Sequence, residues 1–259
     1  MTLLRPILPS CIAAAILLLS ACGGGGGGGQ GLDEEEPIDL GDTTRYTFDE
    51  SSGSVALNAE FDYLHGTVSA ASRVTGVSGN ALNFGATSGS HVLFDICCET
   101  DAQWPVIVNF PDNTLTLAAW LMPTSMAADT LYPIFGGSDF GVQSIRLVLN
   151  DQRVQLFLHP QNNGDPVLVV QSASDLVNGG WQHIAVTYDG TTAILYLDGV
   201  EDARANITMP IQDVVNDYFI GGIPTGLLLE GQASFPGVID EFIFSMLEYT
   251  PEQIATLAQ

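Results

Sequence analysis

Apolar and polar residues alternate with a period of two along most of the chain. Successive side chains of a strand point to opposite faces of a sheet, so this alternation predicts half-buried β-strands. The clearest segments are Thr114–Leu121, Ile145–Leu149, Val154–Leu158, Trp181–Tyr188 and Ala193–Leu197. Asp189-Gly190 and Asp198-Gly199 predict tight turns between strands, because Asp-Gly pairs readily take the positive φ angles that hairpins need.

Helical signals are confined to the C-terminus. Thr250 can cap a helix, Pro251 suits its first position, and Gln253 can reach back to the cap, which together predict a short helix. About a dozen short strands with no second linker predict one all-β domain. We expect an antiparallel β-sandwich jelly roll with a short C-terminal helix.

The N-terminus has the pattern of an export signal. Arg5 precedes the apolar stretch Ile12–Leu19, which is short for a membrane span but suits a signal-peptide core. The stretch runs into Leu19-Ser20-Ala21-Cys22, which resembles the bacterial lipobox. That resemblance implies cleavage before Cys22 and a lipid on its thiol. The alternative is an ordinary secretory signal with an incidental cysteine.

Glycines and acids follow the cysteine, in Gly23–Gly29 and Asp33–Glu36. Glycine-rich and self-repelling segments behave as flexible linkers. We therefore predict a signal peptide over residues 1–21, a lipidated Cys22 with a linker over 22–41, and a folded domain over 42–259. Gly23 after the lipidated cysteine implies a lipid-anchored protein of the bacterial cell envelope, at the outer membrane.

The chain is strongly acidic: 30 Asp and Glu stand against six arginines and no lysine, for a formal net charge of −24. Nucleic-acid binding needs clustered basic residues, so this composition excludes that class and disfavours docking on anionic lipid. The acid excess fits either a functional negative surface or adaptation to a saline host. Cys97 and Cys98 form a vicinal disulfide, stay as free thiols, or pair with another chain.

Four groups of segments resemble the LamG-like jelly-roll family of the concanavalin A-like lectin/glucanase fold. They extend over residues 45–257 in the family's order: Tyr46–Gly53, Gly76–Phe84, Leu115–Leu121 with Trp181–Gly190 and Leu195–Val200, and Phe235–Phe242. The resemblance implies a structural calcium held by Asp49, the Gly79 carbonyl and Asp240. Turn or edge-strand acids are the alternative. Asn58, where many relatives have Asp, removes one charge.

Catalytic patterns are incomplete. Glycosidases of this fold carry a Glu-x-Asp-x-x-Glu motif, whereas Glu60–His65 ends in histidine and reads as a surface loop. We therefore predict no enzyme activity. Trp120 and Trp181 are interpreted as core residues that bridge two sheets, with sugar platforms as the alternative. His183 is interpreted as a buried or half-buried structural histidine, with a ligand or base as the alternative.

The segment around Trp104 interrupts the family pattern and is the candidate ligand site. Trp104 could stack on a sugar while Glu99 or Asp101 accepts hydrogen bonds, or its ring packs back on the sandwich. The favoured reading is a non-catalytic carbohydrate-binding lipoprotein. A protein-binding or structural adhesion domain of the envelope is the first alternative, and a glycoside hydrolase is the second.

Overall fold

The structure is a computed structural model that describes residues 43–62, 64–85, 87–94, 112–137, 145–159, 165–211, 217–225 and 232–259. These residues belong to one compact unit, Leu40–Gln259. Several residues with predicted roles lie outside the described ones, namely Cys22, Cys97, Cys98, Glu99, Asp101 and Trp104. The lipid anchor, the disulfide and the Trp104 sugar site therefore stay predictions.

The described residues form sixteen strands and one helix. In chain order they are β1 (Thr43–Tyr46), β2 (Val55–Ala56), β3 (Gly66–Ser69), β4 (Ser72–Thr75), β5 (Asn80–Asn83), β6 (His91–Phe94), β7 (Leu115–Pro123), β8 (Leu131–Gly137), β9 (Ile145–Asn150), β10 (Arg153–Leu158), β11 (Val167–Gln171), β12 (Gln182–Tyr188), β13 (Thr192–Leu197), β14 (Val200–Asn206), β15 (Tyr218–Ile220), β16 (Gly237–Ser245) and α1 (Pro251–Leu257). All five segments chosen from the alternation are strands, and the sandwich fold is confirmed.

The strands pair antiparallel in two eight-stranded sheets. Sheet A has the order β14-β13-β12-β7-β16-β5-β4, and β1 pairs with β16 beside this path. Sheet B has the order β11-β10-β9-β8-β15-β6-β3-β2. The turn at Asp198 and Gly199 has positive φ angles of 48° and 77°, as its sequence predicts.

The core lies between the two sheets and is rich in aromatic rings. Phe135 of sheet B stacks on Tyr218 with 5.0 Å between ring centroids. It also lies 5.3 Å from both Phe242 and Phe244 of sheet A. Large rings that meet across a sandwich bury much apolar area, so this cluster joins the sheets.

The helix α1 packs on the outer face of sheet A, away from sheet B. Its capping box is confirmed: Gln253 N donates to Thr250 Oγ1, and Thr250 N donates to Gln253 Oε1. Ile254 is fully buried in a second apolar cluster with Ala118, Ala185 and Ile243. No helix within the described ranges has the length and apolar character that a bilayer span requires.

One sequence interpretation is wrong. Trp120 does not bridge the sheets: it is half-buried, and its position on β7 faces outward between residues of the core cluster. Trp181 is also half-buried and precedes β12. The bridging role belongs instead to Phe135, Phe242 and Phe244.

Candidate functional site

Two of the residues predicted to bind calcium meet at the turn between β4 and β5. Asp49 Oδ1 accepts a hydrogen bond from Asn80 N at 2.8 Å, and Asn80 Nδ2 donates back to Asp49 O at 3.0 Å. Gly79 has a φ of 56°, and a Cβ there would lie 1.9 Å from Asp49 Oδ1. Only glycine therefore fits this position, since any side chain would be strained and would collide with the carboxylate.

Asp240 accepts hydrogen bonds from the other end of the same turn. Its Oδ2 accepts from Val77 N at 2.8 Å and from Ser78 N at 3.3 Å, and its Oδ1 accepts from Glu241 N at 2.9 Å. Burial of the fully enclosed carboxyl raises the pKa of Asp240 to about 6, despite these hydrogen bonds. The three predicted residues are thus brought to one turn, where their oxygens already accept backbone N–H groups.

The described part of the chain contains no cluster of three or more His, Cys, Asp or Glu side chains suited to a metal ion. Calcium also takes carbonyl oxygens, and each carboxylate oxygen has two lone pairs. Asp49, the Gly79 carbonyl and Asp240 therefore fit calcium in donor type. Their hydrogen bonds explain why the turn needs these residues with or without a cation.

A row of side chains crosses the middle of sheet A next to this turn. His183 of β12 and Asp240 of β16 are both register partners of Trp120 on β7. A bulge between Asp240 and Ile243 adds one residue to β16 relative to β7, and Glu241 in it has a φ of 50°. Bulges re-aim side chains, which explains how consecutive acids Asp240 and Glu241 both serve the outer side of the sheet.

Glu241 forms an ion pair with Arg45 of β1. Arg45 Nε and Nη2 both donate to Glu241 Oε2, at 3.0 and 2.6 Å. The side chain of Arg45 is 41% exposed and that of Glu241 is 15% exposed. The pair therefore presents charged donors and acceptors at the surface beside the half-buried Trp120 ring.

These residues line an open pocket of about 250 Å³, which we call the Trp120 pocket. Strands β1, β7, β12 and β16, the 76–80 turn and the end of α1 contribute its walls. The lining residues are Arg45, Val77, Ser78, Trp120, His183, Glu241, Ile243, Thr256, Leu257 and Gln259. This volume is below the range of about 300–1,000 Å³ for drug-sized ligands, so the pocket suits one small polar unit.

His183 forms the back of the pocket. Its ring meets Trp120 edge-on, with 5.4 Å between centroids, and the residue is only 2% exposed. Burial lowers the pKa of His183 to about 4, so the imidazole is neutral at neutral pH. Its burial confirms the sequence interpretation, but the residue also lines the pocket.

Sequence reasoning missed the Trp120 pocket. Arg45 and Glu241 are distant in sequence, and no local sequence pattern indicates that they form an ion pair. The incomplete carboxylate motif lies where it was expected: Glu60 and Asp62 belong to the loop between β2 and β3 rather than to a central strand.

Comparison with known proteins agrees with this architecture. The family model of the concanavalin A-like lectin/glucanases superfamily matches residues 99–255. Domain 4 of AbnA, a GH43 extracellular arabinanase from Geobacillus stearothermophilus solved with arabinotriose, has a TM-score of 0.61 at 17% identity. The match covers 83% of this chain and 97% of that domain.

Two further structures share the fold with only part of their length. The Trypanosoma rangeli sialidase bound to sialic acid has a TM-score of 0.60 at 16% identity, over 83% of this chain and 32% of the sialidase. The binding domain of Paraclostridial mosquitocidal protein 1 has a TM-score of 0.60 at 10% identity. The match covers 84% of this chain and 51% of that chain. At these identities the likeness is one of fold. The family match covers more than half of the chain, which therefore belongs to the concanavalin A-like lectin/glucanases superfamily as a LamG-type domain.

Proposed function

We propose that this protein is a non-catalytic carbohydrate-binding lipoprotein of the bacterial cell surface, and that its Trp120 pocket receives one sugar residue. The observation that carries the proposal is the half-buried Trp120 ring beside the Arg45–Glu241 pair. An indole face packs against the apolar side of a sugar ring, and charged planar groups hydrogen-bond to its hydroxyls. The arabinotriose bound to a domain of this fold adds support for a saccharide ligand.

A glycan array followed by calorimetry tests this proposal. We expect binding to a defined class of neutral saccharide, with arabinotriose as one probe. Trp120→Leu should weaken that binding by about tenfold or more, as for other central aromatic contacts. Trp181→Leu is the matched control, because Trp181 is also half-buried but does not line the pocket.

Two results contradict the proposal. One is a folded protein that binds no glycan, which would favour a protein-adhesion role. The other is a Trp120→Leu variant that binds as tightly as the wild type. If binding is instead lost in Trp104→Ala, the sugar site is the one predicted from Trp104, Glu99 and Asp101.

Calcium is the cofactor we propose, held by Asp49, the Gly79 carbonyl and Asp240. The three residues lie at one turn, and hard cations prefer oxygen ligands of this kind. Calcium at 100 times its dissociation constant should stabilise the fold by about 2.7 kcal/mol. The melting temperature with calcium and with chelator measures this effect, and Asp49→Asn should reduce it. An unchanged melting temperature would exclude the site.

The lipid anchor is tested at Cys22. Wild-type protein should fractionate with membranes and carry lipid on its N-terminal cysteine by mass spectrometry. Cys22→Ser should move the protein to the soluble fraction, whereas Cys97→Ser should not. A wild-type protein without lipid would indicate an ordinary secretory signal.

A further inference from the structure

The arginines of this acidic chain divide into paired and unpaired. Among the described residues, four form ion pairs: Arg45 with Glu241, Arg73 with Glu50, Arg153 with Asp175, and Arg204 with Glu201. The guanidinium of Arg146 makes no hydrogen bond or ion pair within the described part of the chain. Although the sequence has 30 acids, this guanidinium faces none of the described ones in an ion pair and is available to a group outside the chain.

Arg146 lies on the outer face of sheet B, in a pocket of about 200 Å³ that we call the Arg146 pocket. Its other walls are apolar, made of Leu131, Val148, Phe157 and Pro166. Phe157 on β10 is directly opposite Arg146, and Gly136 on β8 is opposite on the other side. A Cβ on Gly136 would lie 3.5 Å from Arg146 Cγ, so the stem of the arginine lies beside this glycine. The aromatic ring of Phe157 is on the other side.

The charge of Arg146 is partly withdrawn from water. The residue is half-buried, and burial lowers the pKa of its guanidinium, which nevertheless stays protonated at neutral pH. A half-buried charge without a partner costs folding free energy. Placing it between apolar walls strengthens its attraction for an anion, because the local dielectric is lower than in water.

Hydrogen-bonding groups lie next to the pocket on the same face. Gln155 is two residues from Phe157 along β10, and its Nε2 donates to Gln171 Oε1 at 2.6 Å. Amide side chains of this kind suit hydroxyl groups. Gln155 is only 8% exposed, so this amide pair borders the pocket while Arg146 and Phe157 supply its cation and its aromatic ring.

We propose that the Arg146 pocket binds the carboxylate of an acidic sugar, with Arg146 as the donor and Phe157 against the sugar ring. The planar guanidinium matches a carboxylate with two parallel hydrogen bonds. The volume of about 200 Å³ holds a single sugar residue rather than a long chain segment. The site is distinct from the Trp120 pocket, which lies on the other sheet.

The net charge of −24 does not prevent anion binding at this point. At physiological ionic strength, charges more than about 8 Å apart are largely screened. No acid among the described residues is paired with Arg146. Asp165, next to Pro166 in the chain, is exposed to solvent.

Calorimetry with two matched oligosaccharides tests the proposal. The probes are a β-1,4-linked tetramer of glucuronic acid and cellotetraose, which differ only in the carboxylate at C6. We expect the wild-type protein to bind the uronate tetramer. Arg146→Gln should weaken that binding by about tenfold or more, because a hydrogen-bonded charge pair is lost. The affinity of Arg146→Lys should lie between those of the wild type and Arg146→Gln, since lysine keeps the charge but lacks the planar guanidinium.

Arg153→Gln is the control: it removes the same charge from the same sheet, but at an arginine already paired with Asp175. Arg153→Gln should leave the affinity for the uronate tetramer unchanged, and so should Trp120→Leu. A negative result for the proposed sugar site at Trp120 therefore does not affect the test of the Arg146 pocket. In the wild type, the Nε signals of the few arginines can be followed by NMR, and uronate should shift that of Arg146.

Three outcomes overturn the proposal: no uronate binding by the wild type, equal affinity for cellotetraose, or unchanged affinity in Arg146→Gln. An unshifted Arg146 Nε signal at saturation also overturns it, whether or not the variants fold. The melting temperature adds a readout. Removing an unpaired guanidinium should leave stability equal or higher, whereas a structural arginine would lower it.

Discussion

Neighbouring residues of β7 have opposite surroundings. Leu117, Ala119 and Leu121 belong to the core between the sheets, whereas Ala118 packs under the helix and Trp120 lines a pocket. The inner face is a continuous apolar surface that must be filled. The outer face is partly covered by α1 and partly open, and its open part carries the charged groups. One strand therefore contributes to stability with one face and to a candidate site with the other.

The largest expected effect is on the inner face. Phe135→Ala should lower the free energy of unfolding by about 3–5 kcal/mol, because Phe135 is fully buried among three aromatic rings. Urea denaturation measures the loss. Phe135→Leu, which fills more of the space, should lose less. A loss below about 1 kcal/mol for Phe135→Ala would contradict the distinction between the faces.

The next effect is a pH dependence that arises on the outer face. The pKa of His183 is about 4 in the fold and 6.5 when unperturbed, so the unfolded state binds a proton first as the pH falls. The contribution of neutral His183 is complete above pH 6.5 and is lost as the pH falls through 4. The total is on the order of 3 kcal/mol.

Asp240 titrates with the opposite sign, because its raised pKa of about 6 favours the fold at low pH. The difference in unfolding free energy between wild type and His183→Gln isolates the histidine. Stability should fall less on acidification in the variant than in the wild type. Parallel curves between pH 7 and 4 would show that His183 is not buried as described.

A smaller effect concerns the cover of the outer face. Thr250→Ala removes the cap of α1 and should cost about 1 kcal/mol. Thr250→Ser keeps the oxygen and should match the wild type in melting temperature. Equal melting temperatures for Ala and Ser variants would mean that the cap does not stabilise the helix.

The smallest effect is expected for the surface pair. Arg45→Gln should cost no more than about 1 kcal/mol, because exposed ion pairs contribute little. The same change should weaken saccharide binding at the Trp120 pocket. The variant should therefore lose affinity while it keeps most of its stability. A variant that loses stability but keeps its affinity would assign the pair to the fold instead.

The fold was predictable because its signals are local. Alternation located β7, β9, β10, β12 and β13, and Thr250, Pro251 and Gln253 located the helix. Trp120 was misjudged because both faces of β7 are largely apolar. Alternation alone cannot then tell which face is inside. The bulge at Glu241 changes the phase of β16, and the pairing of Arg45 with Glu241 needs two strands from opposite ends of the sequence.

The position of β16 has a consequence for how the chain folds. This strand is the last in sequence, yet it lies inside sheet A, paired with β7, β5 and β1. Sheet A cannot close until Gly237–Ser245 is available to residues far upstream. Such non-local pairing gives a high contact order, and folding on a scale of about milliseconds to seconds. A nascent chain that lacks these residues keeps β1 and β5 without their neighbour, with exposed edges prone to aggregation.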